Sequence, residues 1–220
     1  HLHVGVPMGL STFFEVSSFT LMAIFISRLG EETVSAHQIV ANLTSMLYMV
    51  PLSLGIASSV LISQSLGARW PAVAEFILRR TLKISIVIAA VLATLLYMFK
   101  GNVIALYTSD AGVAATAAAL VAFGCTYHVF DAMQAVSSFA LRGYRVTRAP
   151  MFIYGIMLWG VGIGIGYQLA FGAEWAGGPY GAFGFWGATA VGLILTGLSL
   201  LAMALWVGRQ RSRDEHHSPE

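Results

Sequence analysis

Charge is what this sequence most lacks. Only 10% of its 220 residues are Asp, Glu, Lys or Arg, against about 25% in an ordinary soluble domain. So few charges cannot cover a globule with a solvated surface. Cys125 is the only cysteine, which excludes an internal disulfide and a thiolate metal cluster. It lies within an apolar run and reads as a small buried hydrophobe. No G-x-S-x-G elbow is present, against an intramembrane serine protease. An intramembrane aspartyl protease needs two facing aspartates, and the apolar segments hold one. Glu31-Glu32 ahead of His37 lacks the H-E-x-x-H spacing of a zinc protease. No nucleotide-binding signature appears, and no nucleic-acid partner is indicated. The opening His1-Leu2-His3 has neither Met nor a basic leader. It is the opening expected of the middle of a longer protein.

What is abundant is hydrocarbon. Hydrophobic residues make up 57% of the chain and the mean hydropathy is +0.76. The apolar runs reach the roughly 20 residues a helix needs to cross about 30 Å of lipid. Hydropathy marks six spans, about 4–27, 36–66, 81–99, 111–141, 151–171 and 183–207. They predict an all-α integral membrane domain over 1–208, with 209–220 as a polar cytoplasmic tail expected to be disordered. The second and fourth spans are too long for an upright crossing, so they must tilt, bend or protrude. Pro51 marks one place for a bend. Basic loops stay cytoplasmic. Alternating loops place Arg69, Arg79, Arg80, Lys83, Arg142, Arg145, Arg148, Arg209, Arg211 and Arg213 on one side, and only Arg28 and Lys100 on the other. That bias predicts six crossings with both ends in the cytoplasm. Glu31, Glu32, Asp110 and Glu174 then face outward.

Two acids sit where the membrane penalises them. Glu15 lies in the first span and Asp131 in the fourth, where a carboxylate costs at least ~2.5–3.5 kcal/mol. Glu15 is eleven residues from Val4 and Asp131 eleven from Arg142. Both reference points are cytoplasmic ends, so both acids lie ~16 Å from the inner face. A lone intramembrane acid can be a protonated structural residue, but a matched pair on separate helices can build one site. Tyr127 and Gln134 share the Asp131 face by helical spacing. Ser11, Ser18 and Phe19 lie on the Glu15 face. His128 is one residue off the Asp131 face and reads as packed or interfacial. Gln38 and Asn42 are four apart, which suits a helix–helix clamp or a ligand contact equally. Gly160, Gly162, Gly164 and Gly166 suggest close helix packing.

Longer stretches resemble a known family. Val4-Gly5-Val6-Pro7-Met8-Gly9-Leu10-Ser11-Thr12-Phe13-Phe14-Glu15 resembles the start of the seventh helix in the multidrug and toxic compound extrusion (MATE) family. Ala36-His37-Gln38-Ile39-Val40-Ala41-Asn42, Pro51-Leu52-Ser53-Leu54-Gly55-Ile56-Ala57 and Gln64-Ser65-Leu66-Gly67-Ala68 resemble its eighth. Leu141-Arg142-Gly143-Tyr144 with Pro150 is similar to the end of its tenth. Glutamate on the first span with tyrosine and aspartate on the fourth is similar to the NorM branch. The resemblance implies one lobe of a twelve-helix, two-lobe pseudo-symmetric transporter, with the N-terminal six-helix lobe missing from this chain.

It also implies a multi-pass protein of the bacterial inner membrane, with lipid around it, exchanging small cationic or amphiphilic drugs for Na+ or H+. No other cofactor is expected. By the same resemblance Glu15, Asp131, Tyr127 and Tyr48 hold the coupling cation, with Na+ at Glu15, Asp131 and Tyr127. Gln38, Asn42, Phe19 and Asp110 contact the drug. A lipid-precursor flippase of the wider superfamily would need central cations for a pyrophosphate, and none lies deep in the spans. A non-transporting accessory subunit, with the acids as a buried clamp, is the other class.

Overall fold

The computed structural model describes the backbone of residues 2–172 and 179–216. Glu174, expected in an outer loop, and positions 217–220 lie outside the described residues. Six helical segments are long and apolar enough to cross a membrane. The described chain is helical throughout, joined by short turns.

The first crossing is α1 (Leu2–Ile26), closed by one 3-10 turn, Ser27–Leu29. It stops at Gly30, whose φ of +103° disfavours any residue with a Cβ. Next comes α2 (Glu31–Gly67), with Glu31 and Glu32 in its first turn, where the helix dipole favours acids. Pro51 sits inside α2 without ending it. Then α3 (Pro71–Ala105) opens on a proline, whose missing N–H is harmless at that position. The fourth crossing, α4 (Ala111–Gly143), is capped by Asp110, which accepts from the Val113 amide at 2.9 Å.

The fifth crossing changes its winding midway. It runs as α5 (Arg148–Tyr154), a π-helical stretch Gly155–Ile165, and α6 (Gly166–Phe171). Such π segments are rare and often mark functional sites. The last crossing, α7, spans Ala182–His216.

Helices outlast the hydropathy bounds at several ends. The third starts at Pro71 rather than 81, because Arg79 and Glu75 pair one turn apart at 2.7 Å and carry the helix on past its apolar stretch. The polar tail is likewise a correction: α7 continues to His216, so 209–216 is helical rather than disordered. Backbone hydrogen bonding propagates from a packed helix into polar sequence, where hydropathy is blind to it.

The centre of the bundle is α4, packed against α2, α3 and α7, while α1 leans chiefly on α5 and the π stretch. Small residues set the closest approaches. A Cβ on Gly197 of α7 would lie 2.6 Å from the Phe130 carbonyl oxygen, and one on Gly143 would lie 2.9 Å from that of Ser59. The four glycines expected to pack do so only in part. Gly166 faces Phe185 of α7 and Gly162 faces Thr189, whereas Gly160 meets nothing and Gly164 only its own helix. Phe76, Val87, Met98 and Trp206 point outward, each more than half exposed, as side chains facing lipid do.

Candidate functional site

The carboxylates of Glu15 on α1 and Asp131 on α4 meet around one amide. Gln134 Nε2 donates to Glu15 Oε1 at 3.0 Å and to Asp131 Oδ1 at 3.2 Å. Tyr48 on α2 donates its hydroxyl to the same Glu15 oxygen at 2.8 Å. Tyr154, the last residue of α5, donates to Gln134 Oε1. Four elements thus converge on one hydrogen-bonded unit. Asp131 is 7% exposed and Gln134 fully buried, so the bond between them is shielded from bulk water, while Glu15 is part-buried.

The unit forms part of the wall of a cavity of about 650 Å³ between α1, α2, α4 and the start of α7. Of the residues expected to act, Glu15, Asp131, Tyr48, Tyr127, Phe19 and Gln38 all line it. Asn42 and Asp110 do not. Asn42 Oδ1 accepts from the Tyr107 hydroxyl at 2.9 Å, which ties α2 to the turn that follows α3. Asp110 caps α4, an arrangement worth about 1 kcal/mol.

Tyr127 is buried but makes a different contact from the one spacing suggests. The two acids are joined through Gln134, while the Tyr127 ring stacks on Trp186 with centroids 6.1 Å apart. Trp186 also meets His37 edge-on at 5.7 Å. Sequence reasoning passed over Trp186 and Tyr154, since neither stands out in an apolar span. Gln134 was visible on the Asp131 face, yet without α1 in place nothing marked it as the link. Arg142, a topology signal by sequence, reaches the cavity wall as well. Its guanidinium lies over the Phe139 ring at 4.5 Å and donates to Thr12 Oγ1 at 3.4 Å. The central section of the wall therefore carries acids, and the cation sits at one end.

Carboxylate, phenol and amide oxygens are the hard donors that suit a hard cation, and the same carboxylates can take a proton instead. Among the described residues no group of three His, Cys, Asp or Glu converges as a softer metal would require.

The comparisons with known proteins bear on the family and the fold. Over 194 residues the chain is 44% identical to the probable multidrug resistance protein NorM of Aromatoleum aromaticum, covering 88% of this chain and 42% of that protein. It is 35% identical over 198 residues to the multidrug resistance protein PmpM of Pseudomonas aeruginosa, covering 90% and 41% respectively. The chain thus spans less than half the length of the curated relatives it matches. Its fold superposes on the crystal structure of the eukaryotic MATE transporter AtDTX14 with a TM-score of 0.83, covering 97% of this chain and 48% of that one at 22% identity. One six-helix lobe of the family's fold is present. Residues 7–168 match the MatE family, and this chain belongs to it.

Proposed function

We propose that this chain is the second lobe of an antiporter that expels cationic or amphiphilic drugs in exchange for Na+ or H+. The observation that carries the reading is the Glu15–Gln134–Asp131 unit in the wall of a cavity large enough for a drug. Two carboxylates around one point favour a positive occupant, while Phe19, Leu52 and Trp186 offer apolar surface to a flat organic cation. Drug and coupling ion then compete for one negative region. Each elementary charge entering gains about 2.3 kcal/mol per 100 mV of membrane potential, which drives drug release on the far side. That the related NorM and PmpM are multidrug resistance proteins supports the same class. A flippase reading would need cations at mid-depth, and Arg142 at one end is held by Thr12 and Phe139.

The test is transport by the full-length protein that carries this lobe, reconstituted in liposomes. Ethidium efflux should rise when an opposing Na+ or proton gradient is imposed, and the 220-residue chain alone should export none. Efflux indifferent to both gradients would remove the antiport reading, and export by the chain alone would replace a lobe with a homodimeric half-transporter.

We further propose the bacterial inner membrane with both ends of the chain cytoplasmic, on the basic bias among the loops. With Cys125 replaced by serine, single cysteines at Ser109 and Arg211 should react with an impermeant maleimide from opposite sides. Reaction from the same side would overturn the topology.

A further inference from the structure

The last helix presents a groove on the face turned away from the cavity. Trp206 follows Trp186 by twenty residues in α7, a rotation of about 200° about the helix axis. Trp186 lines the cavity, so Trp206 points away from it and from any lobe that closes it. On that far side a groove of about 470 Å³ runs between the start of the fifth crossing and the end of α7. Ala149 walls it on one side, and Ser199, Ala202, Met203 and Trp206 on the other. Every residue that lines it except Ser199 is apolar.

Basic residues close one end of the groove. Ser199, Ala202, Trp206, Arg209 and Arg213 follow one another at steps of three, four, three and four residues, the spacing of a single helix face. That face passes from apolar side chains, through an indole of the kind that marks membrane surfaces, to guanidinium groups. The opposite wall has the same order. Arg145 and Arg148 each stand one residue before a lining residue, Val146 and Ala149. Arg145, Arg148 and Arg209 are all exposed, and among the described residues none of the three has a carboxylate partner. Asp214 and Glu215 occupy helical positions off the stripe. Toward mid-membrane, one turn from Ala149, Ser199 and Ala202, the exposed Phe152, Leu195 and Leu198 carry the apolar surface on.

We propose that this groove binds an anionic phospholipid, with an acyl chain along Ala202 and Trp206 and the phosphate held by Arg145, Arg148 and Arg209. Hydrocarbon lining ended by cations matches a lipid in both its parts, and basic pockets between helices at the membrane surface suit such head groups. Net charge selects the class: a phosphatidylglycerol head group stays negative, whereas phosphatidylcholine carries its own cation and gains little from three arginines. A protein partner fits less well, since a stable interface takes about 20–30 residues from each side and seven line this groove. The site lies outside the cavity and goes beyond drug export.

Trp206 itself is the probe. The full-length transporter is reconstituted in phosphatidylcholine, and brominated phosphatidylglycerol and brominated phosphatidylcholine are compared as quenchers of tryptophan fluorescence. The difference between wild type and Trp206→Phe isolates Trp206. Phosphatidylglycerol should be preferred there about fivefold for each arginine that engages it. The preference should shrink in roughly 1 M salt, where the Debye length is about 3 Å. It should fall to near one when Arg145, Arg148 and Arg209 are all replaced by glutamine. Ala202→Phe fills the groove, leaves the charges in place and alters an exposed position, and should also bring the preference to near one. Equal quenching by both lipids in wild type would leave ordinary boundary lipid and overturn the site. A preference that survives the three glutamines, or Ala202→Phe, would overturn it too. Quenching by neither lipid would mean that a second copy or the first lobe covers Trp206, and the inference would fall. No arm reads drug efflux, so the antiport proposal is decided separately by its own gradient test.

Discussion

Asp131→Asn in the full-length transporter will abolish ion-driven ethidium efflux while leaving the protein folded and inserted. The amide keeps the shape of the carboxyl group, and its oxygen can still accept from Gln134 Nε2, now 3.2 Å from Asp131 Oδ1. Packing around a residue only 7% exposed is therefore preserved. What disappears is the ability to gain and lose a proton or to neutralise an ion. Glu15→Gln should behave alike, because Tyr48 and Gln134 converge on one of its oxygens. The double substitution should cost little beyond either single one, since members of one hydrogen-bonded unit are strongly non-additive. Tyr127→Phe should be milder: the bonds between the two acids run through Gln134, and the Tyr127 ring keeps its stacking on Trp186. Dye efflux from liposomes, with monodispersity checked by size-exclusion chromatography, measures all four. Wild-type efflux in Asp131→Asn would reduce the pair to a structural clamp.

Gly197→Leu will prevent the lobe from assembling, and Gly197→Ala will weaken it. Even the single Cβ of alanine would sit 2.6 Å from the Phe130 carbonyl oxygen and 3.3 Å from its carbon. Backbone cannot step aside as a side-chain tip can, so α7 must move off α4. Overpacking of this kind costs about 1–3 kcal/mol, and a larger side chain more. The site feels this indirectly, because α7 also carries Trp186 against Tyr127. Gly160→Ala is the control, since a Cβ there meets nothing within 4 Å. Thermal unfolding in detergent should place Gly197→Ala several degrees below wild type and Gly160→Ala within error of it. Equal melting temperatures for the two would mean that the α4–α7 approach is not a close one.

Spacing on a single helix carried the reading of the site a certain distance. It placed Tyr127, Asp131 and Gln134 on one face, because 3.6 residues per turn fixes azimuth within a helix. It could not rank Tyr127 against Gln134, which lie on opposite sides of Asp131 along the axis. The position of α1 did so, by bringing Glu15 to Gln134. Asn42 illustrates the converse. It shares a face with Gln38 in sequence, yet one turn along α2 it bonds Tyr107, in the turn after α3.

By itself the sequence determined the solvent and the number of crossings, because hydropathy is a property of each helix alone. It also carried the family resemblance, in motifs continuous along the chain. Only the tertiary structure decided which groups meet at the site: Tyr154 reaches Gln134 from the fifth crossing and Trp186 lines the cavity from the sixth, while Asp110 caps a helix. It also decided that the glycine-rich fifth crossing winds partly as a π helix. Each of these depends on how one helix is rotated and seated against another. That rotation is set where residues without a Cβ, such as Gly143 and Gly197, let a neighbour's backbone come close, an approach with no trace in the hydropathy of either helix.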